Sequence, residues 1–168
     1  MQMVDTLQVD GMELGKSISL FSLLAVFTCG VNAEPNPIDK YRWDNRLLIV
    51  VADAVESDKV LAISRAITAA ECEIADRDML VSWIYPDGSG RIGPEKLSPG
   101  SVKSLRNFLR LDSGAGFLMA LVGKDGGIKA RYDELPSLDA VFGLIDGMPM
   151  RRAEMRSDPE DCAGSHSK

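Results

Sequence analysis

Four stretches of the chain have the length and the hydrophobic pattern of β-strands, and residues that favour turns bound them. The first is apolar at every position after its opening arginine, which is typical of a strand covered on both faces of its sheet. The tight turn Lys124-Asp125-Gly126-Gly127 joins the last two strands into a hairpin. The predicted strands are Arg46 to Ala52, Met79 to Tyr85, Phe117 to Val122 and Ile128 to Tyr132.

Three further stretches repeat apolar residues at the three- and four-residue steps of a helix. The first spans about residues 57 to 76. The second begins at Ser98-Pro99, an N-cap followed by proline at the first helical position, and runs to about Leu111. Ser137 caps the third, which runs through Asp146. The residues predicted to face the core are Val60, Ile63, Ile67, Ala70 and Ile74, then Val102, Leu105 and Leu109, then Leu138, Val141, Phe142 and Ile145.

The element order is therefore β-α-β-α-β-β-α. The first βαβ unit must pair its strands in parallel with a right-handed crossover, and the closing hairpin must be antiparallel. This predicts an α/β fold of the thioredoxin-like type, with a four-stranded mixed sheet and helices on both faces, over residues 46 to 147. A leader of residues 34 to 45 precedes it. Residues 148 to 168 form a Met-Pro-Met-Arg-Arg segment and a polar tail that we expect to be flexible.

Composition narrows the classes of function. The chain has 168 residues, 45% of them hydrophobic and 26% charged, which suits one globular domain with a tail. Its net charge of −6 argues against a nucleic-acid partner, because phosphate requires a basic face. The single histidine, His166, lies three residues from the end, so a histidine metal site or a Ser-His-Asp triad within the fold is excluded. No cofactor and no metal are predicted.

The N-terminal region predicts export. Residues 18 to 29 carry no charge, Lys16 precedes them, and Val31-Asn32-Ala33 follows as a small-residue cleavage site. We therefore expect residues 1 to 33 to be a signal peptide cleaved after Ala33, and the protein to be periplasmic or secreted. Three acidic residues before Lys16 are unusual in a signal, although a start at Met3 or Met12 would remove some of them. The alternative is an uncleaved membrane anchor, but the 12-residue run is shorter than the roughly 20 apolar residues that a membrane-spanning helix needs.

A thioredoxin-like fold keeps its reactive thiol where the first strand meets the first helix, because the helix dipole stabilises a thiolate there. Here that junction, Ala52 to Asp58, holds three carboxylates and no cysteine. The proline that shapes the substrate groove is also missing from residues 112 to 116. Neither feature favours redox catalysis.

Two cysteines remain after removal of the signal, Cys72 and Cys162. Helical geometry places Cys72 about 160° from the apolar stripe of its helix, so it should face water or a loop. Glu71 and Glu73 flank it and disfavour a thiolate. Neither a CxxC motif nor zinc spacing occurs, and a disulfide between Cys72 and Cys162 remains an open possibility.

Three stretches of the sequence resemble the family of domains of unknown function numbered 4174 (DUF4174). They are Tyr41 to Leu48, Val122 to Gly127 together with Lys129 and Arg131, and Ile145 to Met155, within which Met148-Pro149-Met150-Arg151-Arg152 is the most specific part. The resemblance covers about residues 41 to 155. It implies a divergent thioredoxin- or peroxiredoxin-like domain of exported proteins, similar to the C-terminal domain of some secreted animal sushi-repeat proteins. It implies no established activity.

The sequence contains few candidate binding residues. Arg131, Arg151 and Arg152 either form a cationic patch for an acidic partner or are ordinary solvated charge, which is favoured at a helix C-terminus. Asp53 follows the first strand, at the edge where α/β sheets gather their sites, but it has no base, nucleophile or metal partner. Trp43 is expected to plug the bottom of the core. Met148 and Met150 are expected to cover its edge.

The leading hypothesis is an exported, non-catalytic thioredoxin-like domain that binds another protein, with the membrane involved only if the signal stays attached. The rival is a weak thiol oxidoreductase or peroxidase that uses Cys72, with Cys162 as the resolving thiol. A third possibility, a hydrolase built around Asp53, would require a base that the sequence does not supply.

Overall fold

A computed structural model describes residues 35–111, 116–157 and 162 of the chain, all within the compact unit Ala33–Lys168. The predicted signal peptide and its cleavage site lie outside these residues. A 3-10 turn at Asp39–Tyr41 precedes the first strand. The strands are β1 Arg46–Val51, β2 Met79–Ile84, β3 Gly90–Ile92, β4 Glu95–Lys96, β5 Leu118–Val122 and β6 Ile128–Tyr132. The helices are α1 Asp58–Ala69, α2 Glu71–Asp76, α3 Pro99–Phe108, α4 Leu138–Asp146 and α5 Pro149–Ser157.

The strands form one mixed sheet in the order β4-β3-β2-β1-β5-β6. β1 pairs in parallel with β2, where Arg46 lies opposite Met79, and antiparallel with β5. β5 and β6 pair antiparallel across the predicted hairpin. The parallel βαβ unit and the closing hairpin are thus confirmed.

The predicted count of four strands is wrong, because β3 and β4 extend the described sheet to six. Both lie in the glycine-rich stretch predicted as a loop, and they are too short to show a hydrophobic period. Gly90 allows this pairing, since a Cβ there would lie 2.9 Å from the carbonyl oxygen of Trp83 on β2. Gly93 then turns the chain with φ 53°.

Two apolar clusters fill the two sides of the sheet, and β1 contributes to both. Leu48 and Val50 point to the side covered by α1, α2 and α4, whereas Leu47 and Ile49 point to the side covered by α3. Each residue of β1 is buried, as its apolar run predicts. Helices therefore cover both faces, in agreement with the sequence.

The helices depart from the prediction in two places. The long first helix is divided at Ala70, whose φ of −108° and ψ of 28° end α1 before α2 begins. The segment after Gly147 forms α5, which the apolar pattern does not reveal because its buried residue is Arg151. A charged side chain on the inner face gives no hydrophobic period, so the helix looks like a solvated segment. In the part of the chain described, no helix is long and apolar enough to cross a membrane.

Candidate functional site

Asp53 lies at the carboxyl end of β1, where a thioredoxin-like fold would hold its thiol, and its carboxylate accepts two hydrogen bonds. Asp53 is exposed, and its Oδ1 accepts hydrogen bonds from Ser57 Oγ at 2.6 Å and from the Ala54 amide at 2.9 Å. Ser57 Oγ in turn accepts from the amide of Val60 and so caps α1. The Ser57 hydroxyl, with help from the Ala54 amide, holds the pKa of Asp53 below its ordinary value. The carboxylate is therefore stabilised in its charged form and is a poor proton donor or base at neutral pH.

Among the residues that the structure describes, the surroundings of Asp53 add no catalytic partner. Lys59 pairs with Glu134 at 2.8 Å and lies over the Phe117 ring at 5.4 Å. The Ser57 hydroxyl is already engaged at both its donor and its acceptor side. The described ranges contain no histidine and no group of acidic, cysteine or histidine side chains that could hold a metal ion. The hydrolase reading therefore gains no support from the described residues.

Replacing Ser57 with alanine (Ser57→Ala) should raise the pKa of Asp53 towards its ordinary value, because the hydroxyl is the main stabiliser of that carboxylate. A carboxyl NMR titration of wild type and variant measures the change. Asp87 is a control within the same molecule, since its pKa is lowered by Ser89 instead. An Asp53 titration curve that does not move would show that Ser57 is not its partner in solution.

Both cysteines outside the N-terminal region are joined to each other. Cys72 lies in α2 and forms a disulfide with Cys162, which is 90 positions further along the chain, with 5.8 Å between the two Cα atoms. Cys72 is exposed, as the helical pattern predicts. The open question of a bridge is thus answered, and neither sulfur lies at the start of α1.

Eight charged side chains form a network at the opposite end of the sheet, which we call the ionic clasp. It joins α5 to the start of β1, the α2–β2 junction, the end of α4 and the β5–β6 hairpin. Four members are cations and four are anions, so the cluster is electrically balanced. The members are Arg46, Arg77, Lys124 and Arg151, with Asp76, Asp78, Asp146 and Glu154.

Glu154 of α5 lies close to two cations of the clasp and 4.0 Å from a third, Arg151. Its carboxylate lies 3.0 Å from Arg46, which is only 1% exposed, and 2.8 Å from Lys124. Arg46 also donates to the carbonyl oxygen of Arg77, and Lys124 pairs with Asp78 at 2.7 Å. Burial by itself lowers the pKa of Lys124, but the hydrogen bonds to Asp78 and Glu154 outweigh it, so the pKa lies above its ordinary value. Lys124 is therefore charged at neutral pH.

Arg151 belongs to the clasp and not to a surface patch. It is 5% exposed, donates to both the carbonyl oxygen and the carboxylate of Asp76, and lies 3.4 Å from Asp146. A partner cannot reach a guanidinium that is enclosed in this way. Of the three arginines singled out by sequence, Arg131 on β6 and Arg152 on α5 are exposed.

The clasp and Asp53 do not form one site. Arg46 begins β1 and Asp53 lies two positions after its last residue, Val51, so the whole strand separates them. The sequence pointed to Asp53 and, within the clasp, to Arg151. It did not point to the other seven clasp residues, because the charge of a side chain does not tell whether it is buried or solvated. The sequence did contain one signal. Each of the three stretches that resemble the family contributes to the clasp: the first holds Arg46, the second holds Lys124, and the third holds Arg151 and Glu154.

Trp43 lies on the surface, so the expectation that it plugs the core is wrong. Its side chain is 62% exposed and its backbone has φ 72°. The amide of Trp43 donates to the carbonyl oxygen of Lys124 at 2.6 Å, which fixes the residue against the hairpin turn. Met150 is also exposed at 41%, whereas Met148 packs against the core as expected.

These features define a mixed α/β domain without a free thiol at the start of α1 and with a partly buried ionic cluster at the other end of β1. The chain belongs to the family DUF4174, a domain of unknown function, whose model matches residues 37–154. The resemblance found in the sequence is thus confirmed.

Three curated relatives illustrate the similarity. Coiled-coil domain-containing protein 80 of Danio rerio is 31% identical over 76% of this chain and 17% of its own length. Sushi repeat-containing protein SRPX of Homo sapiens is 32% identical over 75% of this chain and 28% of its own length. Sushi repeat-containing protein SRPX2 of Rattus norvegicus is 29% identical, with shares of 75% and 29%. The chain thus spans less than a third of each relative. No solved structure matches it significantly.

Proposed function

We propose that this protein is an exported, thiol-independent thioredoxin-like domain that acts by binding another protein. The strand order supports the fold. β2, β1, β5 and β6 lie side by side with one parallel and two antiparallel pairs, and α1 with α2 connects the parallel pair, which agrees with a thioredoxin-like arrangement. In this view β3 and β4 are an addition at the β2 edge.

One observation carries the thiol-independent role. The start of α1, where the helix dipole would activate a sulfur, carries the hydrogen-bonded pair Asp53 and Ser57. Cys72 on α2 is bonded to Cys162, so both cysteines of the folded part are engaged away from that position. Thiol exchange at the α1 position therefore has no nucleophile.

The disulfide also supports export. Disulfides persist in secreted and periplasmic proteins and are rare in a reducing cytosol. The bridge between Cys72 and Cys162 agrees with the signal peptide predicted from residues 1 to 33 and with a periplasmic or secreted location.

A binding role agrees with the size of the relatives. The chain matches less than a third of proteins whose names include sushi repeats or a coiled-coil domain, so in those proteins the matching part is joined to further sequence. A domain that is one part of longer proteins and carries a hydrogen-bonded carboxylate at the position expected for a catalytic thiol is suited to recognising a protein surface.

Two assays test the proposal on the exported full chain. Insulin reduction and peroxide consumption should stay at background, and the Cys72→Ser variant should show the same background activity in both assays. Affinity capture from the exported fraction should recover a protein partner, and Arg131→Ala/Arg152→Ala shows whether the two exposed arginines take part. Failure of the wild-type protein to capture any partner would refute the binding role.

One observation favours the rival hypothesis, a thiol oxidoreductase or peroxidase that uses Cys72. Cys72 is exposed on α2 and already bonded to Cys162, which is the oxidised state that a thiol oxidoreductase passes through. Turnover that disappears in Cys72→Ser would favour this rival and exclude the thiol-independent role.

A further inference from the structure

We propose that Trp43 and Arg42 form the contact through which the domain docks onto its partner protein, with the indole entering an apolar pocket that carries a carboxylate at its rim. This inference rests on the proposed protein-binding function and names the surface that performs it. The inference is based on one observation: the exposed indole of Trp43 and the exposed guanidinium of Arg42 lie side by side next to the β5–β6 hairpin turn.

The backbone at Trp43 adopts a conformation that its side chain disfavours. Residues 41 to 44 form a type II turn, in which Arg42 has φ −61° and ψ 139°, Trp43 has φ 72°, and the amide of Asp44 donates to the carbonyl oxygen of Tyr41. The third position of such a turn favours glycine or asparagine. The chain therefore places its bulkiest residue type where a side chain costs free energy.

Packing within the domain does not compensate for that cost. Trp43 is the most exposed of the large hydrophobic residues that the structure describes, at 62%, and neither core cluster includes it. The other described non-glycine residues with positive φ, Asp78 and Arg110, also follow the C-cap of a helical segment, as Trp43 follows that of the 3-10 turn, but both have polar side chains. A strained and exposed tryptophan contributes little to stability, which points to a role outside the fold.

The surrounding turn holds Arg42 beside the indole. The Arg42 guanidinium donates to the carbonyl oxygen of Asp125 at 3.0 Å and lies 6.0 Å from the centre of the Trp43 ring. Gly126 makes this approach possible, because a Cβ there would lie 2.9 Å from Arg42 Nε. The amide of Trp43 is bound to the carbonyl oxygen of Lys124, so the backbone that carries the indole is fixed before a partner arrives, which lowers the entropy lost on binding.

The chemistry of the pair specifies the partner. Tryptophan and arginine are the residue types most enriched among interface hot spots, which bind in desolvated pockets. Arg42 is 45% exposed, and its nearest anion, Asp39, lies 3.8 Å away, so docking would strip water from a cation that is incompletely paired. A partner that covers the indole must therefore offer a carboxylate to Arg42 as well as an apolar pocket.

Photocrosslinking in the host cells tests this contact on the full exported chain. p-Benzoylphenylalanine is placed at position 43 and, as a control, at position 61, because Leu61 is also exposed but lies on α1. We expect a discrete adduct with one protein from position 43 and none from position 61. The crosslinked protein is then purified and titrated against wild-type protein and variants.

The decisive variant is Trp43→Gly, since glycine suits the turn and should leave the unfolding midpoint equal or higher. We expect its dissociation constant for the crosslinked protein to rise roughly thirtyfold, the effect of a hot-spot residue. Arg42→Ala should weaken binding and reduce its salt dependence, whereas Leu61→Ala should change nothing.

Each outcome is informative. An adduct only at position 61, an unchanged affinity in Trp43→Gly, or a lower unfolding midpoint in that variant would overturn the docking surface and leave the binding function intact. The absence of any adduct at position 43 in cells where the wild type does capture a partner would do the same. Absence of both adduct and capture would refute the proposed function itself.

Discussion

Replacing both bridged cysteines with serine (Cys72→Ser/Cys162→Ser) should lower the free energy of unfolding by about 4 to 5 kcal/mol. The disulfide joins residues 90 positions apart, so it restricts a large part of the unfolded chain, and the loss of that restriction favours unfolding. Urea denaturation of the oxidised wild type and the double variant measures the difference. This is a large share of the stability of a domain of this size.

The reduced wild-type protein is the control for this experiment. It should unfold at the same urea concentration as the double variant, because the two differ only by sulfur and oxygen at two positions. Coincident midpoints for the variant and the oxidised wild type would contradict the prediction and would mean that the bridge does not constrain the chain in solution.

Replacing Glu154 with alanine (Glu154→Ala) should lower the free energy of unfolding by about 3 kcal/mol. The change leaves Arg46, almost fully buried, with only the Arg77 carbonyl oxygen, and it leaves Lys124 with only Asp78. An incompletely compensated buried charge is costly, because removing it from water is no longer offset by its partner. Chemical denaturation followed by circular dichroism gives the magnitude.

Arg152→Ala is the matched control, since Arg152 lies two positions away on the same helix with an exposed side chain. It should change stability by no more than about 0.5 kcal/mol. The double variant Arg46→Met/Glu154→Leu should recover part of the loss, because neither charge of that pair remains. Equal losses in Glu154→Ala and Arg152→Ala would show that the clasp does not stabilise the fold.

Local signals predicted those elements whose ends are determined by neighbouring residues. Ser137 caps α4 through the amide of Ala140, and the helix spans Leu138–Asp146 as its apolar spacing predicts. β6 has the predicted bounds as well, because the turn before it determines where the hairpin begins. Such elements depend little on the rest of the fold.

Other elements depend on distant contacts. β3 has three residues and β4 has two, which is too short for a hydrophobic period to predict them. They form because β3 pairs with β2 and β4 pairs with β3. α5 presents Arg151 and Glu154 to partners on four other elements, and these partners replace the apolar face by which a helix is recognised. The exposure of Trp43 could not be predicted either, because it follows from a turn held by the Lys124 carbonyl oxygen.

The amino-acid sequence by itself determined the α/β class, the family, the core faces of α3 and α4 and the absence of a thiol at the start of α1. Those properties depend on local spacing or on which residue types are present. Only the tertiary structure decided that Cys72 bonds to Cys162, that Arg151 is buried and that Trp43 is exposed. The physical reason is that burial and pairing of charged, aromatic and sulfur side chains depend on what distant segments place around them.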